Sequence, residues 1–241
     1  LRVIGRTSTD NLKRICIQAV NYPHFFEDIL TLLKGITSVT NIPVSLDTCP
    51  LSREQIEMLK VEGLDRIGIP LDAATPMIFD KVKGSDVNGP YSWEAHIESL
   101  EYAVSTFGRG KVLSNLIIGI GETEKEATCF IQKLMDRGIQ TSLFAFTPVP
   151  GTILQESPQP SLDSYRRIQV ARHLITFKLS HYNHMKFNER GVLVDFGANS
   201  IDLTKILENG APFCTTGCPG CNRPFYNERA TGPLFNYPRE L

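Results

Sequence analysis

The 241-residue chain lacks an excess of charge of either sign, because its 25 Lys and Arg residues are balanced by 26 Asp and Glu residues. Without a basic excess, the composition does not indicate a nucleic-acid groove or a surface for anionic membranes. The chain also lacks an apolar run of about 20 residues and a signal-peptide pattern. These absences predict a soluble, cytoplasmic protein that binds neither nucleic acid nor membrane.

Cysteine is scarce as well, and six cysteines in a chain of this length are too few for a disulfide scaffold. An initial methionine is also absent, and the first recognisable element begins only a dozen residues after Leu1. We therefore expect that an N-terminal part of the protein precedes this sequence. The length fits one large domain with a short appendage.

Three of the cysteines lie within eight residues near the C-terminus, at Cys214, Cys218 and Cys221. Three thiolates suit a [4Fe–4S] cluster and leave one iron without a cysteine ligand. A structural zinc ion usually takes four protein ligands, and a redox pair of Cys218 and Cys221 would leave Cys214 unexplained. The spacing favours a cluster, while the zinc and redox interpretations stay open. Further candidate zinc ligands are distant in the sequence, namely Cys49, His181 and His184.

Short apolar runs alternate with longer amphipathic stretches, which is typical of βα units. Capping boxes at Ser52 and Thr123, each followed three residues later by Gln or Glu, mark two helix starts. A helix over 25–34 is expected to end at Gly35. Five βα repeats predict a parallel sheet that closes into a full or partial barrel, with an open doubly wound sheet as the alternative. The predicted strands cover 14–20, 42–47, 65–71, 112–118 and 141–146.

Residues at the carboxyl ends of parallel strands face the ligand crevice in either architecture. Gly119 and Gly121 would permit close backbone approach to a flat ligand, and Glu122 precedes a helix start. The alternative is a tight βα turn with no ligand. Asp72 follows an apolar strand. Its carboxylate is a candidate acceptor of hydrogen bonds from ribose hydroxyls, and equally a candidate N-cap of the next helix.

Several stretches together resemble the barrel of biotin synthase-like radical S-adenosylmethionine (SAM) enzymes. They are KRICIQAV at 13–20, PLDAATP at 70–76, IIGIGET at 117–123, FTPVPGT at 146–152 and FGANS at 196–200. The resemblance covers roughly residues 12–205 and implies a partial TIM barrel of about six βα units, lacking its N-terminal unit. It assigns Asp72 to the ribose of SAM, Gln18 and Ala19 to its methionine moiety, and the turn of Gly119, Gly121 and Glu122 to its adenine.

The chain departs from this family at two places. The family's Cys-x3-Cys-x2-Cys loop after the first barrel strand has no counterpart before Arg14, so that the chain alone is not expected to cleave SAM. A truncated sequence is one explanation; the other is that the tail triad folds over the barrel mouth and serves as the catalytic cluster. Biotin synthase itself holds a second cluster on strand cysteines, of which only Cys16 is present, with Ser45 and Leu113 at the other two positions.

The tail over 206–241 resembles the end of archaeal-type two-protein lipoyl synthases, including CNRPFYNER at 221–229. This resemblance implies an auxiliary [4Fe–4S] cluster on Cys214, Cys218 and Cys221 that supplies sulfur to an octanoyl-lysyl residue of a lipoyl-carrier domain. It further implies an electron donor such as ferredoxin or flavodoxin, and a second radical SAM subunit. Two alternatives remain: another biotin synthase-like enzyme, such as a metallocofactor maturase, and a non-catalytic βα barrel with a zinc-bound tail.

Overall fold

The computed structural model describes residues 12–221, 232–238 and 240, and five parallel strands form its main sheet. The sheet order is β1-β2-β3-β4-β5, so each crossover adds the next strand on the same side. A doubly wound sheet would reverse direction at a switch point, and this sheet does not. The predicted partial TIM barrel is confirmed. The strands are β1 (Ile15–Gln18), β2 (Val44–Asp47), β3 (Arg66–Gly68), β4 (Val112–Ile118) and β5 (Ile139–Ala145).

Six helices follow or separate these strands and cover the outer face of the sheet. On β1, Ile15 and Ile17 pack against the hydrophobic core, whereas Cys16 and Gln18 alternate to the inner side and line cavities. None of the helices in the described part combines the length and the apolar character that a membrane crossing requires. The helices are α1 (Phe25–Thr37), α2 (Arg53–Val61), α3 (Pro76–Val82), α4 (Trp93–Phe107), α5 (Glu124–Asp136) and α6 (Leu162–Thr176).

Both predicted capping boxes are present, at Ser52 before α2 and at Thr123 before α5. The expected end of the first helix at Gly35 is wrong, because α1 continues to Thr37. Ile36 is only 2% exposed and packs in the core. A buried side chain contributes about 1.5–3 kcal/mol, which outweighs the ~1 kcal/mol cost of a helical glycine.

After α6 the chain forms a small hairpin, β6 (Lys186–Phe187) with β7 (Leu193–Asp195), and then α7 (Ser200–Glu208), which spans the predicted boundary at residue 205. The tail then returns to the open edge of the sheet. Thr216 Oγ1 accepts a hydrogen bond from the backbone N–H of Leu143 in β5 at 2.8 Å. The C-terminal part of the motif at 222–229 lies outside the described residues.

Arg166 on α6 anchors the end of the chain. Its guanidinium donates to the carbonyl oxygens of Leu234 and Phe235, both at 2.6 Å. The same group lies between the rings of Phe213 and Tyr237, 5.0 and 5.1 Å from their centroids. Because Tyr237 also forms a parallel β-bridge with Cys214, this anchor fixes the start of the thiol segment against the barrel.

Candidate functional site

Two cavities are stacked along the barrel interior, each a layer of inward-facing side chains. The upper one, here called the mouth, has a volume of about 440 Å³ and lies at the carboxyl ends of the strands. The lower one, here called the thiol cavity, has a volume of about 140 Å³. Their linings are offset by two residues on each strand, as alternation along a strand requires. In each of the following pairs the first residue lines the thiol cavity and the second, two positions later, lines the mouth: Cys16 and Gln18, Ser45 and Asp47, Gly68 and Pro70, Leu113 and Asn115, and Ser142 and Phe144.

Asp72 lines the mouth, as do Gln18 and Ala19, so three of the predicted SAM-binding residues share one cavity. The Asp72 carboxylate forms an ion pair with Lys83 Nζ at 2.8 Å, and this ammonium also donates to the carbonyl oxygen of Pro70 at 2.9 Å. Asp72 has a φ of 65°, which is unusual for a residue with a side chain. Observed left-handed backbone of this kind clusters at ligand sites, and this geometry supports a binding role for Asp72.

The segment between β3 and β4 supplies a second wall of the mouth through Lys83, Tyr91 and His96. His96 is 1% exposed, and burial lowers its pKa to about 4, with nearby Lys83 acting in the same direction. Its Nδ1 lies 2.9 Å from the carbonyl oxygen of Ser92, so the neutral ring donates there. The mouth therefore holds a neutral imidazole next to a paired lysine.

The turn that follows β4 lies beside the mouth, and its residues Gly119, Gly121 and Glu122 are not among those that line the mouth. The Glu122 carboxylate accepts hydrogen bonds from the backbone N–H groups of Gly119 and Ile120, at 2.6 and 3.1 Å. Burial nevertheless raises the pKa of Glu122. A Cβ at Gly119 would lie 2.7 Å from Pro160 Cδ, so the close approach observed here is to Pro160. The adenine role of this turn remains a prediction.

The thiol cavity is closed by the tail, since Cys218 and Cys221 lie on its wall beside Cys16 of β1. Cys218 Sγ is 3.1 Å from Ser45 Oγ. Ser45 in turn accepts a hydrogen bond from Arg14 at 2.9 Å, which leaves the hydroxyl hydrogen available for the sulfur. The Cys218 sulfur therefore contacts Ser45, which stands at a position where biotin synthase has a strand cysteine.

Arg14 gives the thiol cavity a buried positive charge. Its guanidinium pairs with Asp65 at 2.6 Å, and its side chain is 12% exposed. Its Nε is buried and has no hydrogen-bond partner among the described residues. An unpartnered buried N–H is energetically costly. The positive guanidinium, two tail thiols and one strand thiol in this lining are of the chemical type that suits a soft, anionic group such as an iron–sulfur cluster.

Cys214 lies apart from this cavity. Its thiol is directed at the carbonyl oxygen of Gly210, 3.7 Å away, and burial raises its pKa. In the described part of the chain, no three His, Cys, Asp or Glu side chains are close enough together to hold a metal ion. The predicted ligand triad is thus present as two neighbouring thiols and one more remote thiol, and its role as a set remains a prediction.

A polar pair separates the two cavities and belongs to the lining of both. Asn115 Nδ2 of β4 donates to Asp47 Oδ2 of β2 at 3.1 Å, over the inner face of the intervening strand β3. Gly68 on the intervening β3 leaves room for this contact, because a Cβ there would overlap Asp47 Oδ1. The pair forms the floor of the mouth and the roof of the thiol cavity.

Comparison with known proteins agrees with this architecture. The Radical SAM superfamily profile matches residues 2–134, more than half of the chain. The chain belongs to the radical SAM superfamily. Members of this superfamily use a [4Fe–4S] cluster and SAM, and they need an electron donor. The chain is also 25% identical over 140 residues to GTP 3',8-cyclase of Limosilactobacillus fermentum, which covers 57% of this chain and 40% of that protein.

Solved radical SAM structures share the fold. Methylornithine synthase (PylB) superposes with a TM-score of 0.57 at 11% identity, covering 70% of this chain and 49% of that one. The FeFe-hydrogenase maturase HydG from Carboxydothermus hydrogenoformans gives a TM-score of 0.54 at 16% identity, covering 73% and 41%. The chain therefore spans less than half the length of these proteins, and at such identities the likeness concerns the fold.

Several residues of the two cavities escaped the sequence reasoning. Asn115 interrupts the otherwise apolar end of β4, and this polar residue in a buried strand was an available signal. Asp47 ends a predicted strand and was therefore expected to face the ligand crevice, although no role was assigned to it. Lys83, Tyr91 and His96 come from the segment between β3 and β4, whose path over the barrel rim carries no local sequence signature.

Proposed function

We propose that this protein is a radical SAM enzyme that inserts sulfur at unactivated C–H bonds, in the manner of a lipoyl synthase, on an octanoyl-lysyl carrier domain. The observation that carries the proposal is the stacking of the two cavities in one barrel. The two cavities share Asp47 and Asn115 in their linings, and the other strand residues of the thiol cavity come two positions before those of the mouth. A sulfur source in the thiol cavity and a radical source in the mouth would then be one side-chain layer apart.

The mouth residues would bind and orient SAM, which when bound to its cluster supplies the radical that removes a hydrogen atom from the substrate. Asp72 would accept hydrogen bonds from ribose hydroxyls, and its ion pair with Lys83 would hold the carboxylate in place. Gln18 and Ala19, which also line the mouth, would contact the methionine moiety. Apolar side chains of Ile117 and Phe144 also line the mouth and would keep water from a reactive intermediate.

The tail would hold an auxiliary iron–sulfur cluster, which when bound supplies sulfide to the substrate. Cys218 and Cys221, which line the cavity, would be two of its ligands, and Cys214 is the third ligand that the sequence indicates. The Arg14 guanidinium offsets thiolate charge, and the Ser45 hydroxyl hydrogen-bonds to Cys218. Hydrogen bonds to cluster sulfurs raise the reduction potential by stabilising the more negative state.

A second function is favoured by one specific observation. The Asp47–Asn115 hydrogen bond lies in the lining that both cavities share. If this pair keeps a tail-bound group from the substrate, that group would serve structure or electron transfer. This would make the protein another biotin synthase-like radical SAM enzyme, such as a metallocofactor maturase. A zinc-bound tail on a non-catalytic barrel has less support, because the described thiols are not gathered around one point.

The test is transfer of sulfur from the protein to a substrate. The full-length protein is reconstituted anaerobically with iron and isotopically labelled sulfide, then given SAM, a reductant, an octanoylated carrier domain and the second radical SAM subunit that the resemblance implies. We expect label in the product for wild type and for Cys129→Ala, whose thiol lies on α5 outside both cavities, and none for Cys218→Ala. Unlabelled or absent product in wild type with a fully loaded tail cluster would refute sulfur insertion, and zinc without iron would support the non-catalytic alternative.

A further inference from the structure

We propose that a side chamber next to the mouth binds the lysyl arm of the acylated carrier domain, and that Tyr91 at its inner end binds the amide of that arm. The inference rests on the proposed function and deepens it, because it gives the route by which the octanoyl chain reaches the mouth. The side chamber has a volume of about 500 Å³ and is distinct from the thiol cavity.

Stretches of chain that follow β1, β2 and β3 build the side chamber. Its lining includes Asn21 from after β1, Cys49 from after β2, and residues 89–92 from the segment between β3 and β4. A Cβ at Gly89 would overlap the carbonyl oxygen of Lys83. Glycine is the residue that permits this close backbone approach, and it allows the segment to turn back and place Tyr91 beside the mouth.

The side chamber adjoins the mouth, because Asn21, Cys49 and Tyr91 line both. The Tyr91 ring lies 5.3 Å from Lys83 Nζ and meets the His96 ring edge-on, with 5.6 Å between the ring centroids. Its hydroxyl oxygen accepts a hydrogen bond from Asn21 Nδ2 at 3.0 Å. Tyr91 is therefore held from both sides at the boundary between the side chamber and the mouth.

The side chamber differs from the mouth in charge. None of the described side chains that line it is charged, whereas the mouth contains Asp47, Asp72 and Lys83. A lysyl ammonium in the side chamber would lose water without gaining a charged partner, which is costly. Acylation converts this ammonium into a neutral amide. The lining therefore fits an acylated lysine better than a free one.

The apolar part of the lining suits the methylenes of the arm. Phe25, Pro50 and Pro90 present carbon surface to the side chamber, and each buried CH₂ improves affinity roughly 4-fold. The Tyr91 hydroxyl hydrogen has no acceptor among the described residues, so it is available to the amide carbonyl of the arm. With the amide at Tyr91, the lysyl methylenes lie in the side chamber and the octanoyl chain extends into the mouth.

The experiment measures binding of a fluorescently labelled carrier domain, octanoylated or unmodified, to the full-length protein with SAM and the second radical SAM subunit present. Ala95 is exposed and lines the side chamber but not the mouth, so Ala95→Phe places a ring in the proposed route. We expect this variant to bind the octanoylated carrier roughly 10-fold or more weakly than wild type.

Glu94→Phe is the matched control, because Glu94 is exposed on the same turn of α4 and lines neither the side chamber nor the mouth. It should bind the octanoylated carrier as wild type does. SAM affinity should be the same in wild type, Ala95→Phe and Glu94→Phe, which establishes that both variants fold.

Tyr91→Phe tests the contact with the amide, since it keeps the ring and removes the hydroxyl. Loss of one neutral hydrogen bond should weaken binding of the octanoylated carrier roughly 2- to 13-fold and leave binding of the unmodified carrier unchanged. Cys49 supplies a readout that does not depend on affinity. Its alkylation by iodoacetamide, followed by mass spectrometry, should be several-fold slower with the octanoylated carrier than with the unmodified one.

Equal binding of the octanoylated carrier by wild type and Ala95→Phe would overturn the inference and leave the proposed function in place. If Ala95→Phe weakened only the association with the second radical SAM subunit, the side chamber would be a protein interface and the inference would be wrong. A wild-type protein that binds SAM but does not distinguish the octanoylated from the unmodified carrier would overturn the proposed substrate, and the inference with it.

Discussion

The mouth and the thiol cavity lie one layer apart in the same barrel, yet they are assembled in different ways. The mouth is built by the barrel strands and the segment between β3 and β4, and its central ion pair joins Lys83 to Asp72 only 11 residues away. The thiol cavity needs the tail, whose Cys218 meets Ser45 across 173 residues. From this difference we predict that the mouth and the thiol cavity can be disrupted independently of each other.

Removing the tail anchor should break the thiol cavity and spare the mouth, and this is the largest effect that we expect. Arg166→Ala removes two hydrogen bonds from a charged donor, each contributing ~1.5–3 kcal/mol, and the ring contacts with Phe213 and Tyr237. We expect several-fold faster hydrogen exchange over 211–221 and loss of tail-bound iron. SAM affinity should be unchanged.

Arg53→Ala is the matched control, because Arg53 also combines an ion pair, to Glu98, with a ring contact, to Tyr102, but on the surface of α2. It should leave hydrogen exchange in the tail as in wild type. Slow tail exchange in Arg166→Ala would show that the docking does not depend on this residue, and lost SAM affinity would show that the two cavities are not separable.

A change at the shared wall should disturb both cavities at once. Gly68→Ala places a methyl group against Asp47 Oδ1 and displaces the carboxylate from Asn115. Overpacking of this kind costs about 1–3 kcal/mol, which chemical denaturation would measure. We expect weaker SAM binding and a lower yield of the tail cluster in the same variant. An effect on only one cavity would mean that the Asp47–Asn115 pair belongs to that cavity alone.

A substitution confined to the mouth should weaken SAM binding and leave the thiol cavity intact. Asp72→Asn keeps the shape of the side chain and removes its charge, and a hydrogen bond to a charged group contributes ~1.5–3 kcal/mol. If Asp72 binds the ribose, SAM affinity measured by calorimetry should fall by roughly 10-fold or more. Tail-bound iron should be unchanged. Asp202→Asn on α7 lines neither cavity and serves as the control.

The difference between the two cavities also explains what the sequence could predict. The strands, the capping boxes and the mouth residue Asp72 follow from local periodicity and strand ends, and the structure contains them. Where the tail docks could not be predicted, because its contacts with Ser45 and Leu143 join residues that no local pattern relates. The separation of Cys214 from the cavity has the same origin, since a backbone bridge to Tyr237 sets its position.

The smallest effect that we expect concerns pH. Titratable groups at the mouth and at the thiol cavity should lose their contributions to the free energy of unfolding over different pH ranges. The pKa of His96 at the mouth is lowered by burial from 6.5 to about 4, so the unfolded chain binds a proton that the folded chain excludes. The stability that this neutral ring contributes is complete above pH 6.5 and is lost as the pH falls toward 4. His173 on α6, whose pKa burial also lowers to about 4, acts over the same range.

The thiol cavity should respond at lower pH through Asp65, which holds Arg14. Burial would raise the pKa of Asp65, but hydrogen bonds from Lys111 and Arg14 outweigh it and keep that pKa below the ordinary 3.8. A depressed carboxyl pKa contributes stability that is present above the unfolded value and is lost as the pH falls below about 4. The fall of the unfolding free energy with falling pH should therefore become less steep between pH 6.5 and 4 in His96→Gln, where His173 still contributes, and only below 4 in Asp65→Asn. If Asp65→Asn changed the upper range instead, the ion pair with Arg14 would not be what holds the thiol cavity together in acid.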